Sequence, residues 1–579
     1  MEIVPSLFGQ VKPPSSGSFI IFLLVAFLFA LFVYDRYVQR KSSLLINYPV
    51  IARFRYLFEL LREPFRQYFA KEDFYESRDK IDWVYKASKD KNLYISFSVS
   101  QSYDGSRFLL KHASHVFNAD EINGNFSVKI GNSTCKNPFI TKSVIVRSAM
   151  SDGALSPEAT RAFSSAGIEA RFPINIGEGG LTTNYFFRHK ITSENKKYLE
   201  IIEGTPSQKQ IYNIYKRLFN HTVAIRKYRN LVLKGIEAKD SFAVDKKNLS
   251  FYRINWNAPL ENFPNEIPSD VADLIFQIGS GLYGVRDENA KFDELKYQKV
   301  MRFCKATEIK IAQGAKQTGG RLLGEKVTPE IAYYRGVKEG VDIISPNRFP
   351  YANDYNELFN FISRLKELSE KPVGFKIIVS DINEVENMVK ILKDRFDTKK
   401  TLPDFISIDG GDGGTGAAPL ELMESVGLRL PYALYIVDFT LKKYGIREHF
   451  KIIGSSKVLT PDDVAITLCL GADLVGIARG FMMSGGCIRA RVCSGALKHQ
   501  CPVGMATQDK KKRLSYLINE KAITIANYHK NLLKSLKTIM AISGIDSVDK
   551  FNSKMISFKT KSGNCYFDID KYFEEKLHL

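Results

Sequence analysis

Cysteine is scarce, with seven in 579 residues, unevenly placed, which excludes a disulfide framework. Acidic residues are outnumbered as well: 63 Asp and Glu face 83 Lys and Arg, leaving a formal net charge of +20. Such an excess suits nucleic acid, an anionic membrane surface or an acidic protein partner. The basic residues are scattered and no recognition motif accompanies them, so nucleic acid is not expected as a partner. No internal repeat and no low-complexity tract is found. With 44% hydrophobic and 25% charged residues, wholesale disorder, a collagen-like chain and a polytopic membrane protein are excluded. The length suits two to four average domains, or one large barrel with elaborations at its ends.

The one long uncharged run is FIIFLLVAFLFALFVY, residues 19–34. Its apolar residues leave no polar stripe, as a soluble core helix would have, and span the width of a bilayer in a short helix. A cleaved signal peptide should begin basic and end in small residues, whereas Arg36, Arg40 and Lys41 follow this run. The sequence therefore predicts a short segment 1–17, a single-pass membrane helix over 18–35, and everything beyond it in the cytoplasm, because only Lys12 precedes the span. Residues 48–69 interleave Phe, Leu and Tyr with Arg53, Arg55, Arg62 and Arg66. They suit a helix along the anionic leaflet or one packed on a domain, within an N-terminal extension over 36–139.

From about residue 140 the chain alternates strand-like and helix-like segments, the pattern of a parallel sheet with crossover helices. Strands are expected at 143–149, 171–176, 273–278, 308–312, 341–345, 373–379, 405–409, 450–454 and 473–477. This number of units predicts an α/β fold with a (β/α)8 TIM-type barrel over 140–509. A mostly helical insertion is expected at about 205–250, and a basic, then helical, extension over 510–579.

Barrel chemistry belongs at the C-terminal ends of the strands. After Asp409 comes Gly410-Gly411-Asp412-Gly413-Gly414-Thr415-Gly416, able to converge backbone N–H groups on an anion or a flat ring. Gly454-Ser455-Ser456 and Ala478-Arg479-Gly480 follow later strands, where barrels grip phosphate. Together they suggest a phosphorylated cofactor. Gly279-Ser280-Gly281-Leu282-Tyr283-Gly284 fits a dinucleotide fingerprint, but Val285 to Asn289 looks like loop where a helix should open. Lys310, Gln313 and Lys316 lie near one strand end and Arg335 on the following helix, a set suited to a small dicarboxylate. Lys376, inside an apolar strand, needs an anionic or ring partner. Glu178 sits in Gly177-Glu178-Gly179-Gly180 at another strand end.

Cys135, Cys304, Cys469 and Cys565 are isolated. Cys487, Cys493 and Cys501 form a loop over 487–501, the last followed by Pro502, as iron–sulfur ligands often are. Zinc, with His499 as a fourth ligand, and no metal at all are the other readings.

Ser148-Ala149-Met150-Ser151 with Gly153, the Gly177 to Gly180 loop, the run from Lys310 to Lys316, Gly413 to Gly416, and the cysteine loop leading to Ala506-Thr507-Gln508 resemble the synthase domain of glutamate synthase. The resemblance covers roughly 140–545 and is nearest to short family members with an N-terminal membrane span. It implies a barrel holding FMN, with hydride passed to the imine formed from 2-oxoglutarate and ammonia. It implies that Gln313, Lys316 and Arg335 hold 2-oxoglutarate, with Lys310, Glu178 and Lys316 around the reacting centre. FMN would be held by Ala149, Met150, Ser151, Gln277, Lys376, Gly413, Gly414, Thr415, Gly416, Gly454, Ser455, Ser456, Ala478, Arg479 and Gly480. The three cysteines would hold a three-iron four-sulfur cluster fed by a ferredoxin-like or other donor. A glutaminase domain would need a cysteine at the mature N-terminus, and the first cysteine here is Cys135. Nitrogen is thus expected from ammonia, an amine or a separate glutaminase subunit. Rival readings are a hydroxy-acid oxidase, which should use a His base that none of the eight histidines supplies, a membrane-tethered electron relay or binding module, and an N-substituted glutamate synthase subunit.

Overall fold

The computed structural model describes residues 16–61, 77–94, 107–219, 221–314, 319–416, 418–422, 425–490, 492–493, 500–560 and 563–577. The chain divides into two compact units, Met1–Asp73 and Phe74–Leu579.

In the first unit, α1 (Ser16–Val33) presents exposed apolar side chains, and the stretch Phe19–Val38 is long and apolar enough to cross a membrane. A π-helical turn, Tyr34–Val38, follows. There the Asp35 carboxylate accepts Arg53 Nη2 at 2.6 Å, Arg53 Nε at 2.9 Å and the Val50 N–H at 3.0 Å. This pairing folds the chain back, so that the first residue of the helix Arg53–Leu60 lies beside the end of the apolar segment. The expected amphipathic segment 48–69 is seen only to residue 61; Arg62 and Arg66 lie outside the described residues.

The second unit is built on eight parallel strands: β1 (Ile145–Arg147), β2 (Ile174–Asn175), β3 (Leu274–Ile278), β4 (Ala306–Lys310), β5 (Val373–Ile377), β6 (Phe405–Asp409), β7 (Lys451–Ser455) and β8 (Leu474–Ile477). Each pairs with the next, and β8 pairs with β1, closing the TIM-type barrel. Buried on both faces, these strands are mostly continuous apolar runs. Helix starts are written plainly. Ser156, Thr205 and Thr328, each followed by proline, accept the N–H three residues on, and Thr460-Pro461 adds a capping box with Asp463. Each cap contributes about 1 kcal/mol.

One end of the barrel is shut. A hairpin of Val128–Ile130 and Phe139–Thr141 inserts Ile130 and Phe139 among Val146, Ile275, Ala306, Phe405, Ile453 and Leu474. Ala306, Phe405 and Leu474 are the first residues of their strands and Val146 and Ile275 the second, so the plug seals the N-terminal end. Chemistry is left to the opposite, C-terminal mouth.

Three expectations change. The strand expected at 341–345 is only Ile343–Ile344, and it pairs antiparallel with Arg321–Leu322 outside the barrel. A short apolar run has no periodicity that tells a barrel strand from a hairpin in a loop. The insertion between β2 and β3 carries the helices Pro206–Leu218 and His221–Val232, and also an antiparallel sheet of Leu199–Glu203, Ser250–Ile254 and Ala243–Asp245. The two layers share a core of Tyr212, Ala224, Tyr228, Leu233, Phe242 and Phe251. The C-terminal extension is not only helical either, since Ile556–Lys559 pairs with Arg107–Leu110 and with Cys565–Tyr566.

The long helix Ile518–Ile542 packs on Arg78–Ser88 and on the first barrel helix, α2 (Pro157–Ala170). From it, His529 Nε2 meets Ser143 Oγ at 2.8 Å in full burial. Burial, with Lys530 nearby, pushes the His529 imidazole down to about 3. Between about pH 6.5 and that value the unfolded chain binds a proton that the folded chain does not, so stability falls as pH falls across this window. His529→Gln removes that titration. Thermal unfolding of the variant should show a shallower loss of Tm between about pH 6 and pH 4; an unchanged slope would contradict it.

Candidate active site

The mouth of the barrel gathers an ion-paired set. Lys310, the last residue of β4, places Nζ 2.9 Å from Oε1 of Glu178 in the loop after β2. Burial raises the Glu178 carboxyl, but the charge and hydrogen bond of Lys310, helped by Arg335 and Lys376, outweigh it and hold the group below the usual carboxylate range. Glu178 is therefore ionised at neutral pH. Lys376 of β5 lies level with Lys310 in the ladder, and its Nζ is 3.7 Å from Asp409 Oδ2 at the end of β6. Burial pushes the Asp409 carboxyl up, opposed by Lys376 and by the Gly314 N–H that it accepts at 2.9 Å.

Arg335 ends α3 (Pro329–Arg335) and is only 6% exposed. Its Nη2 reaches Ser151 Oγ and the Asp152 carbonyl, both at 3.4 Å, and its guanidinium lies 5.4 Å from the Tyr283 ring centroid. Glycine makes this crowding possible. Gly177 has φ +67°, and a Cβ there would lie 2.7 Å from the Ser151 N; one on Gly179 would lie 3.2 Å from Arg335 Nη2. Gln313 is half-buried in the loop after β4, and Lys316 lies outside the described residues.

The loops after β6, β7 and β8 meet around the same mouth. Gly413 donates to the Gly410 carbonyl at 2.8 Å, and Gly410 to that of Ser455 at 3.1 Å. Ser456 Oγ donates to Asp412 at 3.0 Å, and Ser148 Oγ meets Ser455 Oγ at 2.9 Å. A Cβ on Gly414 would stand 2.8 Å from Arg479 Nη2. Thr415 and Gly416 are exposed, and Ala149, Met150 and Ala478 are half-buried. Two predicted glycines face elsewhere. Gly454 makes room for Thr467 and Leu434 on the surrounding helices, and Gly480 for the Tyr528 hydroxyl.

Of the cysteine loop, Cys493 adjoins this mouth. Cys493 Cβ would lie 3.6 Å from a Cβ on Gly416, and Lys326 Nζ donates to the Cys493 carbonyl at 2.5 Å. Tyr85 donates to the Cys487 carbonyl at 2.8 Å. Burial, then Cys493 and Cys501 nearby, push the Cys487 thiol up to about 12. Among the described residues no group of three His, Cys, Asp or Glu is placed to hold a metal ion, and His499 lies outside them.

A family described as the conserved region in glutamate synthase matches residues 87–546. The chain belongs to the glutamate synthase family. It is an oxidoreductase of the glutamate synthase type. The glutamate synthase large subunit-like protein YerD of Bacillus subtilis is 31% identical, over 91% of this chain and 91% of its own length. The archaeal-type glutamate synthase [NADPH] of Thermotoga maritima is 33% identical over 49% of this chain, and the match spans 53% of its own length. The ferredoxin-dependent glutamate synthase of Cyanidium caldarium is 32% identical over 48% of this chain and 17% of its own.

Seen in this family member, the fingerprint-like glycines serve the chain itself. A Cβ on Gly279 would collide with Glu178 Oε2, and one on Gly281 with the Tyr283 ring. Gly279→Ala should therefore push Glu178 off Lys310 and lower turnover at least about tenfold, with an unchanged circular dichroism spectrum. Full turnover in that variant would show that the carboxylate is not needed there. Two site residues escaped the sequence reading. Arg147, fully buried at the end of β1, donates from Nη1 to the carbonyls of Ser148 at 3.1 Å and Met150 at 3.0 Å, clamping the loop that carries Ala149 and Met150. Glu308, in the middle of β4, is 3% exposed. The signal for both was a charge inside an apolar strand, the same one that singled out Lys376.

Proposed function

We propose that the chain is an FMN-dependent synthase that reductively aminates 2-oxoglutarate, or a related 2-oxo acid, to glutamate with ammonia or an amine. The observation that carries this reading is the mouth itself: Lys310 paired with Glu178, Lys376 with Asp409, and Arg335 buried beside them. Cationic side chains held in partly dry surroundings suit a dicarboxylate.

The residues fit FMN. Exposed Gly414 sets no side chain beside the Arg479 guanidinium, whose Nη2 would lie 2.8 Å from a Cβ there, so a phosphate can approach that cation. Ala149, Met150, Ser151, Gln277, Lys376, Gly413 to Gly416, Ser455, Ser456, Ala478 and Arg479 would hold the group; Gly454 and Gly480 would contribute backbone only. When bound, FMN supplies the hydride, so the chain's tasks are binding and proton handling. Arg335, with Gln313 and Lys316, orients the two carboxylates. Condensation with ammonia expels the keto oxygen as water: Lys310 Nζ, held by Glu178 Oε1, would give that oxygen a proton and regain one from the condensing nitrogen.

Cys487, Cys493 and Cys501 are proposed to hold an iron–sulfur cluster, of the three-iron four-sulfur type, on the strength of their spacing before Pro502 alone, since the three are not gathered around a metal position among the described residues. A ferredoxin-like protein or another reductant is the donor, and a separate glutaminase subunit is one source of ammonia. The apolar stretch Phe19–Val38 is proposed to anchor the enzyme in the membrane, with the barrel in the cytoplasm.

Anaerobic purification from the membrane fraction tests these assignments together. The protein should release FMN on denaturation and contain iron with acid-labile sulfide. Absence of flavin refutes the synthase; zinc without sulfide refutes the cluster alone; wholly soluble protein refutes the anchor alone.

A further inference from the structure

Below the ion-paired mouth lies a buried carboxylate that no step above uses. Glu308 Oε1 accepts Asn175 Nδ2 at 2.8 Å and Gln277 Nε2 at 2.6 Å, while Oε2 accepts the Ser407 hydroxyl. One side chain thus ties β4 to β2, β3 and β6. We propose that Glu308 is a positioning residue that makes Gln277 a hydrogen-bond acceptor toward the cofactor, and so selects a ring edge bearing an N–H, the N3–H of the flavin. The inference rests on the reading that FMN occupies this mouth.

The argument follows from donor and acceptor bookkeeping. A carboxylate holding three donors has no hydrogen to give. Gln277 stands directly beside Glu308 in the parallel ladder, so its side chain meets that carboxylate. Turning the amide over would set a carbonyl oxygen against a carboxylate, with neither able to donate. One N–H of the amide is therefore committed to Glu308, and Oε1 is the acceptor that Gln277 offers a ligand. The other two members are fixed in the same sense. Asn175 Oδ1 is taken by the Gly177 N–H at 3.0 Å, and Ser407 spends its hydrogen on Glu308. This layer thus holds acceptors, while the donors lie above it on Lys310 and Lys376, level with each other in the ladder. On the pyrimidine edge of an oxidised flavin the N3–H is the donor, flanked by two carbonyl acceptors. Oε1 of Gln277 matches the donor, and cations and backbone N–H groups match the carbonyls.

The test compares FMN with N3-methyl-FMN, whose donor is blocked, by quenching of flavin fluorescence on reconstitution of the full-length apoprotein. Wild type should prefer FMN by at least about tenfold, the cost of one unmade buried hydrogen bond. In Glu308→Gln, whose amide can itself donate, Gln277 is free to turn over, and the preference should shrink to less than about threefold. A merely structural role would weaken both flavins equally and leave their ratio unchanged, overturning the proposal. If Glu308→Gln does not fold, Gln277→Met serves, and it should abolish the preference with Glu308 intact; a retained preference overturns the proposal. Equal binding of both flavins by wild type overturns it while leaving the FMN assignment standing. Failure of wild type to bind either flavin removes that assignment and this inference with it.

Discussion

Lys310→Met should lower kcat by about 10²–10⁴-fold, the usual contribution of a positioned acid or base. Its Nζ is 2.9 Å from Glu178 Oε1 and is shielded from solvent, so no water takes over its role. The variant should also change how stability depends on pH. In the native chain burial raises the Glu178 carboxyl, and Lys310 more than offsets this, so its folded pKa lies below the ordinary value of 4.5. A depressed carboxylate contributes stability above the unfolded value, and the contribution is lost as pH falls through the folded one. Without Lys310, burial dominates and the folded pKa rises, so stability is lost at a higher pH. Thermal unfolding between about pH 7 and pH 4 should show the acid limb of Tm displaced upward. Lys310→Arg separates the two effects: it restores the charge and the acid limb, but a guanidinium does not give up its proton, so turnover stays low. Wild-type turnover in Lys310→Arg would mean that the lysine acts only as a charge.

Arg335→Ala should raise the Michaelis constant for 2-oxoglutarate by about 30-fold or more, since a charge-assisted contact to a carboxylate contributes on the order of 2 kcal/mol. The side chain is held by Ser151 Oγ, the Asp152 carbonyl and the Tyr283 ring, and it cannot swing to solvent. Because Arg335 grips ground state and transition state alike, kcat should change by less than about threefold. Initial-rate kinetics across 2-oxo acids give the check. A monocarboxylate such as pyruvate, lacking the second carboxylate, should respond far less than 2-oxoglutarate. An equal response to both would place Arg335 elsewhere than on the distal carboxylate.

Much of this molecule can be read from its residues, and where the reading stops has physical causes. Phe405–Asp409 was expected with the bounds it has, since a short apolar run ended by an acid and glycines has few other uses. Lys376 was found because a cation in an apolar strand demands a partner, and Asp409 is that partner. The same rule points to Arg147 and Glu308, but Arg147 is answered by backbone carbonyls of the loop that follows it and Glu308 by amides on other strands, partners that no charged residue in the sequence marks. Glycine was the more ambiguous signal. A Cβ on Gly413 would meet the Gly410 carbonyl and one on Gly414 the Arg479 guanidinium, just as Gly454, Gly480 and Gly279 clear space for neighbouring side chains of the chain itself. A missing side chain says that something approaches closely, not whether it is ligand or protein. The sheet in the insertion was hidden for a related reason: Ser250–Ile254 is buried throughout and shows no alternation.

The most direct measurement of the central claim is anaerobic reoxidation of the chemically reduced enzyme, followed by flavin absorbance. Addition of 2-oxoglutarate with ammonia or methylamine should restore the oxidised spectrum and yield one glutamate, or one N-methylglutamate, per flavin. With 2-oxoglutarate alone reoxidation should be much slower, because the imine is the hydride acceptor. If no 2-oxo acid reoxidises the flavin with any amine, the ion-paired mouth of Lys310, Glu178 and Arg335 does not make glutamate.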